Sequence, residues 1–474
     1  MEKASWIEKI STLIIFFLFV FLIFYDLGST KLTNWDEAWY GDISRNMSET
    51  GNLITPIFNR EPFFDKPPLY FWLTALSFKL FGVSEFSERF FSALAGVGVG
   101  LTLYFLARLL FNNSVALLSL IVLSSAIGFL YRSRTGNLDT LLTFFVLLSA
   151  FAFYKGQDKK SDLWYLIFGV AVGLGFLTKG AISFLFPLLA AAYCLHKKDF
   201  SLLKKTSFAI LIGIVISAVW IGLSFIANGY PFVSDFYNNQ TTKISTTPFF
   251  WKNFSFDYFG HLKSGLKLWS LLFTPAFIYS LYAWWKKTSF LITLYFIVFF
   301  GILLFSQITS NWFIMPLYPL IALIIGFGLY RLVNRFLGKK FIPYLVATVF
   351  AITIYHLVLY NNEYAVKDVS MDETNVALFA RRFTRENDTL YLTNYYFPTT
   401  IFYSNRKVYA VYSEQEENQA WWVKPRTAWK EILKSDRVFV VTTKEEFKNL
   451  SDYFSPYKFE VLHQSGQKLL LKKV

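Results

Sequence analysis

The chain has 474 residues, of which 54% are hydrophobic, 20% are aromatic and only 16% are charged. A soluble domain carries about a quarter charged residues, so this composition argues against a soluble protein and indicates an integral membrane protein. The net charge of +14 does not indicate a nucleic-acid partner, because most of the basic residues lie in short segments between apolar runs. Cys194 is the one cysteine, which excludes an intrachain disulfide framework and a Cys-based zinc site.

Apolar runs long enough to cross a bilayer, about 20 residues in a helix, recur along most of the chain. Eleven candidates lie at about 9–26, 86–110, 115–131, 137–154, 162–178, 180–196, 206–227, 264–285, 288–306, 311–333 and 341–360. No small-residue cleavage site follows the first run, so we interpret it as a retained signal anchor. The fold class is therefore predicted as all-α and polytopic, with about 11 transmembrane helices.

The distribution of basic residues predicts the orientation of these spans. If the N-terminus is cytoplasmic, the alternate inner loops carry Lys155, Lys159, Lys160, Lys197, Lys198, Lys204, Lys205, Lys286, Lys287, Arg331, Arg335, Lys339 and Lys340. The outer turns are much poorer in lysine and arginine, which agrees with the positive-inside rule for a cell (inner or plasma) membrane protein. Arg132, Arg134 and Lys179 are the exceptions, and the rule does not explain them.

Three larger segments then lie outside, at about 27–85, 228–263 and 361–474. The sequence divides into a transmembrane domain over 1–362, with the first two segments as outer loops, and a small extracytoplasmic α/β domain over 363–474. Helices are predicted over Asp42–Glu49, over Leu69–Phe81 at the membrane interface, and over 374–386. Strands are predicted at 389–396, 407–412 and 437–443, and a hairpin at 459–472.

Ionisable residues collect at the predicted outer boundary of the membrane, where charges are costly and usually functional. They are Asp36, Glu37, Asp65, Lys66, Arg132, Arg134, Asp139, Lys179 and Lys243. Carboxylates suit a general base, and clustered cations suit a phosphate. Together they indicate a phosphate-bearing substrate attacked by a hydroxyl or a similar nucleophile, with Trp35, Trp39 and Tyr40 offering flat faces to sugar rings or isoprenoid chains.

Each of these residues also has a purely structural interpretation. The aromatic residues could form an interfacial belt, Asp139 could serve the N-terminus of a helix, and Lys179 could be a snorkelling lysine. Arg132 and Arg134 could anchor lipid headgroups, and the adjacent acid and base at 65–66 could form a local surface pair. Such interpretations are plausible singly and less so jointly.

Several motifs resemble those of GT-C glycosyltransferases of the aminoarabinose-transferase and protein-mannosyltransferase type. The matching segments are Asn34–Tyr40, Ile43–Met47, Gly51–Asn52, Phe64–Tyr70, Phe81–Gly82, Glu88–Arg89, Leu138–Asp139, Leu177–Gly180 and Ile314–Pro319. The resemblance covers about residues 1–330 and lies in the joint pattern and its order. It implies an inverting cell-envelope transferase that takes a hexose or pentose from a polyprenyl (undecaprenyl) phosphate to a lipid, glycan or protein acceptor on the outer face.

The resemblance also implies roles for individual residues. Asp36 would be the principal catalytic carboxylate, with Asp139 as a second acid and Glu37 beside Asp36. Lys66 and Lys179 would hold the carrier phosphate, and Arg132, Arg134, Lys243 and Asp65 are further candidates for that site. A divalent metal is left open, with Asp36 and Asp65 as its ligands if it is present.

The chain departs from the family pattern at two places. Lys243 stands nearest to the position where aminoarabinose-type relatives have an arginine, and Ser310–Trp312 replaces a lysine found before the family's Pro-x-Tyr-Pro segment. Two other functions remain open at this point. A transporter or flippase of lipid-linked sugars would place charges near the bilayer midplane and show paired repeats, and no repeat is visible. A receptor-like protein would bind its ligand in the C-terminal domain.

Overall fold

A computed structural model describes residues 6–241, 254–285, 287–306, 309–365, 371–393, 398–412, 426–428, 432, 434, 437–449 and 458–474. The chain divides into two compact units. The first consists of Met1–Leu27, Phe64–Leu73 and Arg89–Val366, and the second consists of Gly28–Phe63, Thr74–Glu88 and Lys367–Val474. The second unit therefore combines most of the first outer loop with the C-terminal segment.

The first unit is built from apolar helices around one large hydrophobic core. The helices are α1 (Trp6–Phe24), α4 (Glu85–Leu110), α5 (Asn113–Leu123), α6 (Ile127–Ser133), α7 (Leu138–Lys159), α8 (Asp162–Lys179), α9 (Leu185–His196), α10 (Phe200–Thr241), α11 (Asp257–Leu266), α12 (Trp269–Trp284), α13 (Phe290–Leu304), α14 (Tyr318–Phe336), α15 (Ile342–Leu359) and α16 (Asn361–Tyr364). Short 3-10 turns precede α9 and α14, at Ala181–Phe184 and Asn311–Leu317. The first four residues of α4 belong to the second unit.

Within the described residues, six helices are long and apolar enough to cross a membrane, or up to seven if one bent pair forms a single span. Four shorter apolar helical segments accompany them, at Ile10–Phe24, Leu69–Phe81, Ala181–His196 and Phe290–Leu304. A multi-pass membrane protein is confirmed in outline. The predicted number of eleven spans and the predicted orientation of the termini stay predictions.

Two of the predicted spans differ in shape from the expectation. The run at 115–131 is broken, because α5 and α6 meet at an angle of 73°. Ser124 and Ser125 stand at the break, and the Ser124 hydroxyl donates to the carbonyl oxygen of Ile121 at 2.7 Å, a local bond that competes with the helical ladder. The run at 206–227 continues as helix to Thr241 across a kink at Gly229, whose φ is 64° and which precedes Pro231.

A close helix crossing fixes Tyr318 at the start of α14. Tyr318 is 3% exposed, and a Cβ atom added to either Gly128 of α6 or Gly265 of α11 would overlap its hydroxyl oxygen. Only glycine at both positions lets the two helices approach around this ring. The crossing places the N-terminal end of α14 beside α6 and α11.

We expect Gly128→Ala to lower the free energy of unfolding by about 1–3 kcal/mol, because overpacking a tight core costs about that much. Gly301→Ala in α13 is the matched control, since a Cβ there meets nothing within 4 Å. An alanine at that helical position should be neutral or mildly stabilising. Thermal unfolding of the detergent-solubilised chain, followed by tryptophan fluorescence, measures both. Equal midpoints for the two variants would contradict the packing argument.

The second unit contains a six-stranded sheet in the order β5-β4-β3-β6-β8-β7. The strands are β3 (Thr389–Thr393), β4 (Lys407–Tyr412), β5 (Arg426–Ala428), β6 (Phe439–Thr443), β7 (Phe459–Ser465) and β8 (Lys468–Lys473). Strand β3 pairs in parallel with β4 and β6, and the β7–β8 hairpin adds antiparallel strands beside β6. The predicted strands and hairpin are confirmed within the described residues, and the rest of the strand predicted at 389–396 lies outside them.

The remaining elements of the second unit are helical, apart from one short hairpin. They are α2 (Asp36–Thr50), α3 (Leu69–Phe81), which begins in the first unit, α17 (Met371–Phe383), α18 (Pro398–Ser404), the helix Lys444–Asn449, and the strands β1 (Ile57–Phe58) and β2 (Glu61–Pro62). Helix α2 begins six residues earlier than predicted and ends as expected at Gly51, which has a left-handed φ of 73°. Leu32, Ala38, Phe402 and Tyr403 share a small hydrophobic core, which packs the first outer loop against α18.

Candidate active site

A partly buried charge cluster lies at the N-terminal end of α7. Asp139 stands in the first turn of that helix and is 3% exposed. One of its carboxylate oxygens pairs with the ammonium of Lys179, at the end of α8, and the other lies 3.3 Å from the guanidinium of Arg132. The cluster of two cations and one carboxylate has a net charge of +1, which suits an anionic group such as a phosphate.

Two aromatic rings flank these cations. The guanidinium of Arg132 lies 5.3 Å from the centroid of Trp312, and the ammonium of Lys179 lies 4.6 Å from that of Phe313. Cation–π attraction and the carboxylate between them hold both cations in fixed directions. In the sequence, this segment stood out only because 310–312 replaces a family lysine. Trp312 of this segment and the next residue, Phe313, lie against the two cations supplied by α6 and α8.

A cavity of about 320 Å³ opens next to Arg132 within the first unit. Its lining includes polar side chains from α11, α16 and the 3-10 turn, namely His261, Glu363 and Asn311. Its volume falls in the range of about 300–1,000 Å³ typical of small-molecule sites. The cavity can therefore accommodate a polar group beside the positive cluster.

The other basic candidates of the first unit are placed differently. Lys66 pairs with the adjacent Asp65, as the structural interpretation of these residues expected, and both are partly exposed. Arg134 does not join the cluster, because its guanidinium donates to the carbonyl oxygen of Leu22 at 2.6 Å. Lys243 lies in 242–253, outside the described residues.

In the second unit, the acidic pair begins helix α2. Asp36 is half-buried at the first position of the helix, where the dipole favours a carboxylate. Glu37 is 1% exposed, and its carboxylate accepts hydrogen bonds from the backbone N–H of Thr33 at 2.6 Å and from the Thr33 hydroxyl at 2.8 Å. Glu37 therefore closes the turn that leads into the helix.

The aromatic candidates around this turn have separate environments. Trp35 is 45% exposed and has a φ of 69°, a strained value for a residue with a Cβ. Trp39 packs on Phe58 and Phe63, with ring centroids 5.3 Å and 5.4 Å apart. Tyr40 is 5% exposed, so it is a core residue of its unit and not an accessible stacking face. Of the three, Trp35 offers the most open ring.

No group of three or more His, Cys, Asp or Glu side chains that could hold a metal ion occurs in the described part of the chain. Asp36 and Asp65, the two ligands predicted for a metal, belong to different compact units. Metal dependence therefore stays as open as the sequence left it.

Polar contacts that the sequence does not reveal surround helix α2. Arg45 and Asp42 form a buried ion pair, and Asp42 also accepts a hydrogen bond from the backbone N–H of Asn59 at 2.9 Å. The Asn59 side chain in turn bonds both the N–H and the carbonyl of Val408 in β4. The sequence shows charged residues in a short predicted helix, but the partners of Arg45 and Asn59 in the C-terminal segment lie 357 and 349 residues away.

Comparison with known proteins gives this geometry a context. Residues 65–223 match the family of dolichyl-phosphate-mannose-protein mannosyltransferases. An uncharacterized protein of Aquifex aeolicus is 30% identical over 331 residues, which are 69% of this chain and 73% of that protein.

An undecaprenyl phosphate-α-4-amino-4-deoxy-L-arabinose arabinosyl transferase of Pseudomonas fluorescens is 33% identical over 217 residues. The match covers 42% of this chain and 38% of that transferase, so the chain spans well under half of its length. The crystal structure of ArnT from Cupriavidus metallidurans bound to undecaprenyl phosphate has the same fold, with a TM-score of 0.82, 19% identity and 98% of each chain covered. The chain thus belongs to the GT-C glycosyltransferases of the aminoarabinose-transferase and protein-mannosyltransferase type.

Proposed function

We propose that this membrane protein transfers a monosaccharide from a polyprenyl phosphate, of the undecaprenyl type, to a lipid, glycan or protein acceptor on the outer face of the membrane. The observation that carries the proposal is the partly buried cluster of Arg132, Asp139 and Lys179 with its net positive charge. Relatives named for an undecaprenyl phosphate sugar, and a protein of the same fold solved with undecaprenyl phosphate, support this class of donor.

In the proposed mechanism the hydroxyl oxygen of the acceptor attacks the anomeric carbon of the sugar. Asp36 accepts the proton of that hydroxyl. The bond between that carbon and the phosphate oxygen breaks, and its electron pair leaves with the phosphate. Lys179, Arg132 and Lys66 stabilise the phosphate by their charge, so the leaving group needs no proton. A carboxylate also stabilises the oxocarbenium-like transition state. Both carboxylate oxygens of Asp139 face cations, so we assign Asp139 the role of holding Arg132 and Lys179 in place.

Attack from the face opposite to the leaving phosphate inverts the anomeric centre. We therefore expect a product of inverted configuration from a synthetic undecaprenyl-phosphate pentose or hexose of known anomeric form. Proton NMR of the isolated product gives the configuration directly. A retained configuration would contradict the single-displacement mechanism and would require a covalent glycosyl-enzyme. Mass spectrometry of envelope lipids and glycans after deletion of the protein identifies the natural sugar and acceptor.

A transporter of lipid-linked sugars is the second candidate, and cysteine accessibility separates the two. In a Cys194→Ser background we expect Glu49→Cys, at the exposed end of α2, to react with an impermeant maleimide only from outside. Lys198→Cys, in an exposed predicted inner loop, should react only after the cells are opened. Labelling of interior positions from both sides during turnover would instead indicate alternating access and favour the transporter.

A further inference from the structure

Four consecutive residues lead into helix α2, and each is held by a side chain or by helix α18. Lys31 donates to a carboxylate oxygen of Glu85 at 2.8 Å, and the backbone N–H of Leu32 donates to the hydroxyl of Tyr403 at 2.8 Å. Thr33 is bound by the carboxylate of Glu37, as described above. The side-chain oxygen of Asn34 accepts a hydrogen bond from the N–H of Thr399 at 3.4 Å. The turn that presents Asp36 is thus fixed residue by residue.

Tyr403 is the central member of this arrangement. Its hydroxyl accepts the hydrogen bond from Leu32 and donates one to Glu85 at 3.0 Å, so the tyrosine bridges two parts of the first outer loop. Burial raises the pKa of Tyr403 above its usual range, which keeps the hydroxyl protonated and able to donate. Tyr403 is 6% exposed and Leu32 is fully buried, so water cannot easily replace either bond.

The body of α2 contacts Phe402, which precedes Tyr403 in helix α18. The guanidinium of Arg45 donates to the backbone carbonyl of Phe402 at 2.6 Å and lies 4.9 Å from the centroid of its ring. The ring packs on Gly41, where an added Cβ would lie 3.0 Å from it. Helix α18 therefore contacts the chain on both sides of Asp36, before it at Leu32 through Tyr403 and after it at Arg45 through Phe402.

The backbone directly before Asp36 is strained. Trp35, directly before Asp36, has a φ of 69° and ψ of −119°, and such conformations persist only where their surroundings enforce them. The bonds to Leu32, Thr33 and Asn34 fix the three residues directly before Trp35. We infer that helix α18 of the C-terminal segment is a positioning element of the transferase site, with Tyr403 as the positioning residue that sets the direction of the Asp36 carboxylate.

This inference rests on the proposed function and assigns the C-terminal segment a role in the reaction instead of in ligand capture. It predicts a specific kinetic pattern. If Tyr403 acts through Asp36, its loss lowers kcat and leaves the KM for the polyprenyl-phosphate sugar unchanged, because the groups assigned to the phosphate are elsewhere in the chain. A displacement of about 1 Å can cost roughly a hundredfold in rate.

The test uses the full-length protein in proteoliposomes with an undecaprenyl-phosphate sugar donor. Tyr403→Phe should lower kcat by roughly ten- to a hundredfold with a KM within twofold of wild type. Arg437→Gln, which removes a surface ion pair with Asp388 in the same unit, is the matched control and should retain full kcat. Asn34→Ala, which loses only one long hydrogen bond of a half-buried side chain, tests the same turn if Tyr403→Phe does not fold.

A double-mutant cycle separates positioning from general damage. In an Asp36→Asn background, Tyr403→Phe should have almost no further effect on kcat, whereas an independent structural role would give additive losses. Full kcat in folded Tyr403→Phe and in Asn34→Ala overturns the inference, as do additive losses or a raised KM. Failure of the wild-type protein to transfer sugar from any polyprenyl phosphate overturns the proposed function itself, and the two failures are therefore distinguishable.

Discussion

Asp36→Asn is expected to lower kcat for sugar transfer by about a thousandfold, within the range of about 10²–10⁴ that general acid–base catalysis contributes. The amide keeps the size of the side chain and its place at the start of α2, but it cannot take the proton of the attacking hydroxyl. The KM for the carrier-linked sugar should change little, since the phosphate contacts are assigned to lysines and arginines. Steady-state kinetics with a labelled donor in proteoliposomes measures both constants.

Glu49→Gln is the matched control for that substitution. It removes a carboxylate from the same helix, but at its exposed C-terminal turn, and should leave kcat and the melting temperature unchanged. Glu37→Gln should behave differently from both. The amide oxygen introduced by this substitution can still accept the hydrogen bonds from Thr33, so we expect a partial loss of kcat. A stable Asp36→Asn protein with wild-type kcat would remove Asp36 from the chemistry.

Lys179→Met is the second substitution with a large expected effect. It removes one of the two cations around Asp139 and brings the net charge of the cluster from +1 to zero. We expect kcat/KM for the polyprenyl-phosphate sugar to fall by about 10²–10³-fold, the usual loss when one donor to a developing anion is removed. Lys179→Arg keeps the charge but changes its geometry, and it should recover part of the activity.

Lys155→Met is the control for this experiment, because it removes a lysine that pairs with Asp158 in an exposed contact near the end of α7. Its kinetic constants should match those of the wild type. Thermal unfolding of each variant, followed in detergent, separates loss of binding from loss of folding. If Lys179→Met folds and keeps its kcat/KM, the cluster does not hold the carrier phosphate.

The sequence predicted the helical membrane unit well because long apolar runs are a local property. Five of the six strands of the C-terminal sheet were also predictable, since alternation and turn residues are local too, whereas the three-residue strand β5 was not predicted. The break between α5 and α6 was not, because the apolar pattern of 115–131 continues through Ser124 and Ser125 without a glycine or proline at the break. There, hydroxyl-to-backbone bonds and tertiary packing decide the shape.

The candidate site was predictable in part. Asp139 at the start of α7 and Lys179 at the end of α8 are 40 positions apart. Because successive spans run in opposite directions, these two helix ends lie on the same side. Arg134 could not be told apart from Arg132 in the sequence, because both carry the same charge at neighbouring positions. In the structure, Arg132 lies on α6 and pairs with Asp139, whereas Arg134 follows the end of α6 and bonds the backbone of Leu22.

The contacts of Tyr403 lay beyond local reasoning. Its partners Leu32 and Glu85 are 371 and 318 residues away in the chain, and nothing in a single sequence links a C-terminal tyrosine to the first outer loop. The domain boundary predicted at residue 362 marks the end of the last apolar run, so it reflects hydropathy and not compactness. Compactness groups residues 28–63 with the C-terminal segment, because these polar parts bury their side chains against one another.

One measurement tests the central assignment most directly. Purified wild-type protein is reconstituted with an undecaprenyl phosphate sugar labelled in both the sugar and the lipid, and a membrane extract is added as the source of acceptor. We expect free undecaprenyl phosphate to appear in a one-to-one ratio with transferred sugar, and we expect neither product from Asp36→Asn. Intact lipid-linked sugar that crosses the bilayer without cleavage would contradict this expectation and identify a transporter instead.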